Sequence, residues 1–182
     1  MRLIRRPFAV VALLMCMIMS TSALASQSKW SEYVLGSGDL VRIQVYGEPD
    51  LTVETQLSDT GVIAYPFLGE IKLLGMTVGE LQKRITSGLL GDYLIDPKVT
   101  VSILQYRQFY VNGEVTRPGG FTFQPGLTVR KAISLAGGFT ERASKREIYV
   151  ISEADISQQP KKVTLNSTIK PGDIITIEQS FF

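Results

Sequence analysis

Between Phe109 and Thr140 the chain reads FYVNGEVTRPGGFTFQPGLTVRKAISLAGGFT, and this stretch confines the possible folds more tightly than any other. Phe109, Val111 and Val115 recur at even spacing, as one buried strand face requires. Arg117-Pro118-Gly119-Gly120 offers a proline with φ already set for the first corner of a tight turn. A glycine follows for the corner that needs positive φ. Phe121-Thr122-Phe123 returns with both rings on one face. Thr128 caps a helix whose Val129, Ala132, Ile133 and Ala136 form a single apolar stripe. Gly137-Gly138 ends that helix, because glycine takes up the left-handed cap without strain. The unit is a strand, a turn, a second strand, a helix and a stop, with no catalytic group standing out in it.

The start of the chain asks for separate treatment. Arg2, Arg5 and Arg6 precede an apolar run from Phe8 to Met19, and Ala23-Leu24-Ala25 follows. A basic start, an apolar middle and an A-x-A site make a signal peptide over residues 1–25, cleaved after Ala25. The apolar run is short for a membrane span, which weakens the alternative of an uncleaved anchor. Cys16, the single cysteine of the sequence, lies inside this segment. Leu13-Leu14-Met15 lacks the small residues expected before a lipid-accepting cysteine, so apolar filler is the plainer reading. The remaining 157 residues suit one compact domain or two small ones.

Removing residues 1–25 also takes away three arginines and no acid, which turns a formal charge of +2 into −1. Nucleic-acid binding driven by overall charge thereby loses its main support. The sequence has no histidine, and on this reading the mature chain has no cysteine. The usual proton shuttle, the commonest metal ligand and a thiol nucleophile are then missing, which argues against an enzyme, a metal site or a cofactor.

Along the chain, Gly36-Ser37-Gly38-Asp39 is a turn into a strand where Val41, Ile43 and Val45 alternate with polar neighbours. Gly47-Glu48-Pro49-Asp50 breaks it. Further strands are expected at Thr52–Leu57, Val62–Tyr65 (ended by Pro66) and Leu68–Leu73. Thr77-Val78-Gly79-Glu80 matches a capping box ahead of a helix with Val78, Leu81, Ile85 and Leu89 on one stripe, and Gly91 stops it. Strands follow at Val99–Leu104, Ile148–Ile151, Val163–Leu165 and Ile174–Ile177. The pattern is α+β, about ten short strands and two helices, in two small modules that divide near Tyr106. Gly38-Asp39 and Gly172-Asp173 echo each other at the head of a strand in each module.

Read as a whole, the chain resembles the Wza-type polysaccharide export protein family. Asp59-Thr60-Gly61, Pro66-Phe67-Leu68-Gly69, Gly75-Met76-Thr77 and the Gly36–Asp39 opening resemble the polysaccharide-export domain. Val111-Asn112-Gly113-Glu114-Val115, Arg117-Pro118-Gly119, Thr128-Val129 and Ala136-Gly137-Gly138-Phe139 resemble the soluble-ligand-binding (SLBB) β-grasp domain. The resemblance sets the export domain at residues 30–105 and the SLBB domain at 106–179. It implies a non-enzymatic subunit of a homo-oligomeric ring in the periplasm, associated with the outer membrane, through which capsular or exopolysaccharide passes. It also implies an inner-membrane polysaccharide co-polymerase as partner. No run of about 20 apolar residues follows the SLBB portion, so a separate outer-membrane pore protein is expected to complete the route. The terminal Phe181-Phe182 suits docking onto another subunit or partner, or else simple fraying.

Candidate polysaccharide or interface contacts are Tyr106, Arg107, Phe109 and Tyr110 at the module boundary, and Arg142, Lys145 and Arg146 in the charged run after the glycine stop. Aromatic faces and guanidinium groups suit sugar rings and acidic substituents. The plainer readings are a half-buried strand for the first group and a solvated loop for the second. Gly38, Asp39, Gly61, Pro66, Gly69, Gly113, Pro118, Gly119, Gly137, Gly138, Gly172 and Asp173 are read as shape-setting motif residues, with no catalytic role. Two other functions stay open. A monomeric periplasmic carbohydrate-binding module would bind an oligosaccharide and form no ring. A hydrolase or lyase would have to work with carboxylates, Tyr, Lys or Arg that the sequence does not bring together.

Overall fold

Val41, Ile43 and Val45 are buried while Arg42 and Gln44 face solvent, and this alternation makes β1 (Leu40–Val45) the middle of the first sheet. The structure is a computed structural model that describes residues 33–180. Residues 1–25, expected to be a signal peptide, together with Cys16, Trp30 and Phe181-Phe182 lie outside the described residues. β2 (Glu48–Gln56) and β5 (Val99–Gln105) flank β1 antiparallel, in the order β2-β1-β5. β3 (Val62–Tyr65) and β4 (Gly69–Lys72) form a separate hairpin. α1 (Val78–Leu89) buries Leu81, Ile85 and Leu89 at four-residue spacing against this layer. Its start is a true capping box: the Thr77 hydroxyl accepts from the Glu80 N–H at 3.2 Å, and the Glu80 carboxylate accepts from the Thr77 N–H at 2.8 Å.

The second module contains β6 (Gln108–Gly113), β7 (Gly119–Thr122), α2 (Val129–Leu135), β8 (Ala143–Ile151), β9 (Lys161–Lys162) and β10 (Ile174–Gln179). Its sheet order is β7-β6-β10-β8-β9. β10, the last strand among the described residues, enters the middle, parallel to β6 and antiparallel to β8. Val129, Ala132 and Ile133 of α2 and Ala136 at its C-cap pack with Phe109, Val111, Ile175 and Ile177 in one core. A mixed sheet wrapped about one short helix is the β-grasp form that the resemblance implies. The first module has its own core around Ile43, Leu81 and Ile85. Burying each such side chain contributes about 1.5–3 kcal/mol. The architecture is α+β, with ten strands and two helices among the described residues.

Several strand boundaries depart from the sequence reading. β2 starts at Glu48, so the break is confined to the Tyr46-Gly47 turn, and Pro49 is tolerated because β2 lies at the sheet edge. Val163–Leu165 is not a strand, and the short edge strand falls at Lys161–Lys162 instead. The charged run is not a free loop either, since β8 already begins at Ala143.

The largest difference concerns the expected tight turn at Arg117–Gly120. Gly113 ends β6 with φ 83°, and a Cβ there would collide with the carbonyl of Ile177 in β10. The chain therefore swings away and runs along the end of α2. Thr116 N–H donates to the Gly138 carbonyl at 3.0 Å and Arg117 N–H to the Ala136 carbonyl at 2.8 Å. Val115 reaches the core from this detour, so it shares an interior with Phe109 and Val111 without sharing their strand.

Gly113→Ala adds a left-handed penalty to a clash with backbone, for an expected loss of about 2–4 kcal/mol in denaturant unfolding. Gly91, with φ 90° and open space around it, isolates the penalty. Gly91→Ala is expected to lose about 1 kcal/mol in the same measurement.

Candidate functional site at the junction of the modules

Only Tyr106 and Arg107 separate the last residue of β5 from the first of β6, so the junction has almost no slack. Two Gly-Asp turns lie beside it, one at the head of β1 and one at the head of β10. In the first, Asp39 reaches back to accept from the Gly36 N–H at 2.8 Å. In the second, Asp173 does the same with the Lys170 N–H at 2.8 Å. This three-residue reach is ordinary aspartate turn chemistry. The second turn also ties directly to the linker strand, because Gly172 N–H donates to the Gln108 carbonyl and Tyr110 N–H to the Asp173 carbonyl, both at 2.9 Å.

The first turn is tied through side chains. Asp39 is fully buried and takes donors on both oxygens. Oδ1 accepts from the Arg107 N–H at 2.8 Å, and Oδ2 accepts from the Tyr33 hydroxyl at 2.7 Å and from Arg107 Nη1 at 3.3 Å. Arg107 Nη1 also donates to the Tyr33 oxygen at 2.6 Å, and Nε donates to Glu153 at 2.7 Å. The guanidinium lies so close over Gly36 that a Cβ there would overlap it. Burial first, and then the hydrogen bond to Asp39, push the Tyr33 phenol far above its usual range, so it stays a neutral donor. A chain of edge-on rings completes the contact: Tyr33 on Tyr106 at 5.0 Å, and Tyr106 on Phe123 at 5.6 Å. Tyr33 packs on the first core and Tyr106 on the second, so the rings connect the two interiors.

A cleft of about 430 Å³ opens beside this network, lined by Gln56, Gln105, Gln108, Tyr110, Arg107 and Glu153 among others. Amides, a phenol and an ion pair suit hydroxyl-rich ligands, since each both donates and accepts or is already neutralised. Of the boundary candidates, Tyr110 lies half exposed in the cleft, while Tyr106 and Arg107 are committed mainly to the junction. Phe109 is fully buried in the second core, which corrects its placement among contact residues: alternation turns it inward where Tyr110 turns outward. Arg142, Lys145 and Arg146 are exposed, the latter two on β8, and the Arg142 carbonyl accepts from Ser180 N–H at 2.7 Å.

The motif glycines and prolines fall in turns and caps. Gly38 and Gly61 precede β1 and β3, Pro66 and Gly69 bracket the β3–β4 turn, Pro118 and Gly119 lead into β7, and Gly137-Gly138 follow α2. Among the described residues no group of three or more His, Cys, Asp or Glu comes together in a way that would hold a metal. Sequence reasoning missed Tyr33 and Glu153 as partners of Arg107, since they stand 74 and 46 residues away from it.

The two aspartates differ in what their burial entails. Asp173 Oδ1 has no hydrogen-bond partner. Burial pushes its carboxyl pKa up, and the Lys170 amide and Ser152 hydroxyl offset this only in part. A raised folded-state pKa means the folded chain holds the proton more tightly, so this group destabilises the fold as pH rises through that pKa. Asp173→Asn is expected to keep the Lys170 bond and to raise the melting temperature at pH 7 relative to pH 4. Asp39→Asn leaves Arg107 facing a neutral group and misorients a donor, with an expected loss of about 3–5 kcal/mol at pH 7. Melting curves of both variants at the two pH values check these opposite outcomes.

The comparisons with known proteins agree with this architecture. Residues 27–104 match the family model described as polysaccharide biosynthesis/export protein, and residues 108–157 match the SLBB domain. The EPS I polysaccharide export outer membrane protein EpsA of Ralstonia nicotianae is 28% identical, covering 84% of this chain and 49% of its own length. The exopolysaccharide production protein ExoF of Rhizobium meliloti is 34% identical over 72% of this chain and 33% of its own. The capsule polysaccharide export outer membrane protein CtrA of Neisseria meningitidis is 25% identical over 68% and 34%. The chain spans about half the length of these curated relatives, or less. With an export domain followed by an SLBB domain, the chain belongs to the polysaccharide export protein family.

Proposed function

We propose that this protein is a non-enzymatic subunit of a homo-oligomeric ring that conducts capsular polysaccharide or exopolysaccharide through the periplasm. In this reading, residues 1–25 direct secretion, residues 30–105 form the export domain and residues 106–179 the SLBB domain. An inner-membrane co-polymerase supplies the polymer. The observation that carries the reading is the rigid junction of the export and SLBB modules, matched in order to relatives named for export. A conduit wall must keep its modules at a fixed angle while touching the polymer weakly and repeatedly. A two-residue linker locked by Asp39 and Arg107 meets the first demand, and a polar cleft with the half-exposed Tyr110 suits the second.

The cleft also favours a second reading, a monomeric periplasmic carbohydrate-binding module. The two separate cleanly. The conduit reading expects deletion of the gene to leave polymer inside the periplasm and surface polysaccharide lost. It also expects light scattering of the purified chain, alone or with its co-polymerase, to return a multiple of the protomer mass. A monomer under every such condition, with normal surface polymer in the deletion strain, overturns the conduit.

A further inference from the structure

Phe67 draws attention on two independent grounds. It is one of two non-glycine residues with positive φ among the described residues, at 65°, and it is 62% exposed. A side chain in the left-handed region crowds its own backbone, so the conformation lasts only where the surroundings impose it. Such imposed residues gather at ligand contacts.

Here the imposing contacts are visible. Leu68 N–H donates to the Tyr65 carbonyl at 3.2 Å and closes the turn between β3 and β4. The Tyr93 hydroxyl donates to the Phe67 carbonyl at 3.3 Å. Leu68 lies so near Gly88 of α1 that a Cβ at that glycine would meet it at 2.9 Å. Tyr93 is itself anchored to the end of α1, its N–H donating to the Leu89 carbonyl at 3.3 Å. The two rings stack with centroids 4.8 Å apart and 23° between their planes. Tyr93 therefore backs one side of the Phe67 ring, and the strained turn holds the ring in solvent instead of turning it into the first core.

We propose that Phe67 and Tyr93 form a stacking platform for a single neutral sugar ring of the transported polymer. The inference rests on the export reading and deepens it by assigning a site. The electron-rich face of an aromatic ring attracts polarised C–H groups, and a pyranose with equatorial hydroxyls presents a face made of axial C–H bonds. A ring already fixed by its neighbours gives up little freedom on binding. Glu70, three residues after Phe67 in the chain, and Asp92, next to Tyr93, are exposed, and such carboxylates suit sugar hydroxyls and disfavour an acidic sugar. Those charges also count against a contact between two copies, because interface centres are depleted in charge and need about 800 Å² per partner. One ring-sized platform per subunit supplies a weak contact that repeats around an oligomer.

The test uses the full chain, cellohexaose as probe, and saturation-transfer NMR. The wild type is expected to transfer saturation to the axial ring protons of the sugar. Phe67→Gly removes the ring and relieves the backbone, so transfer is expected to fall about threefold or more while the melting temperature holds or rises. Absence of transfer in the wild type, or equal transfer in both proteins, overturns the platform. So does a drop in melting temperature or a changed oligomer mass in Phe67→Gly, which would assign the ring to folding or to a copy contact. In cells, a deletion strain that still exports normally sinks the export reading itself. A deletion strain restored to full export by Phe67→Gly sinks only the platform.

Discussion

The Asp39 carboxylate is the point on which the relation of the two modules depends. It sits in a turn of the first module, fully buried, and two of its donors come from the linker residue Arg107. A buried charge tolerates little rearrangement, since any donor withdrawn leaves an uncompensated oxygen in a poorly solvated place. Among the described residues the modules have separate cores bridged by edge-on rings, and such contacts alone would permit rocking. The carboxylate supplies the missing geometric strictness. Glu153, by contrast, is half exposed, and its bond to Arg107 steers the guanidinium more than it stabilises it.

The same local device appears twice with different burdens. Both Gly-Asp turns fold their carboxylate back onto an amide three residues earlier, so the turns are equivalent as backbone chemistry. Asp39 then gains Tyr33 and Arg107, while Asp173 keeps an unmatched oxygen beneath the second module. One turn has become a joint between modules, and the other has remained a corner of one. Sequence likeness in a short motif thus says where the chain bends, and the partners brought by distant segments say what the bend is for.

Much of the fold was legible because it rests on periodic patterns. The alternation in β1, the four-residue stripe of α1, the Thr77 capping box and the glycine stop of α2 are local, and each is present as its residues indicate. The failures share a cause in non-local pairing. Gly113 breaks β6 because Ile177, 64 positions later, occupies the space a side chain would need. Lys145 and Arg146 look like loop residues, yet they lie on a strand whose partners come from β10. At the junction, Tyr106 and Arg107 were visible as an unusual pair, but no local signal joins them to Tyr33 or Glu153. Phe67 was hidden in a motif read for its proline and glycine.

The central position of β10 has a consequence for the order in which the molecule can form. Residues up to Gln105 contain every strand and the helix of the first module, so that unit can close while later residues are still emerging. The second sheet cannot, because β6 and β8 meet only across a strand that ends at Gln179. Until that strand arrives, both present unpaired edges, the state in which a chain is most open to pairing with a neighbour. Closing the β6–β10 pair also joins residues more than 60 positions apart, a slow step by loop-closure entropy. The strand of the second module that appears last is therefore the one that ends its vulnerable interval.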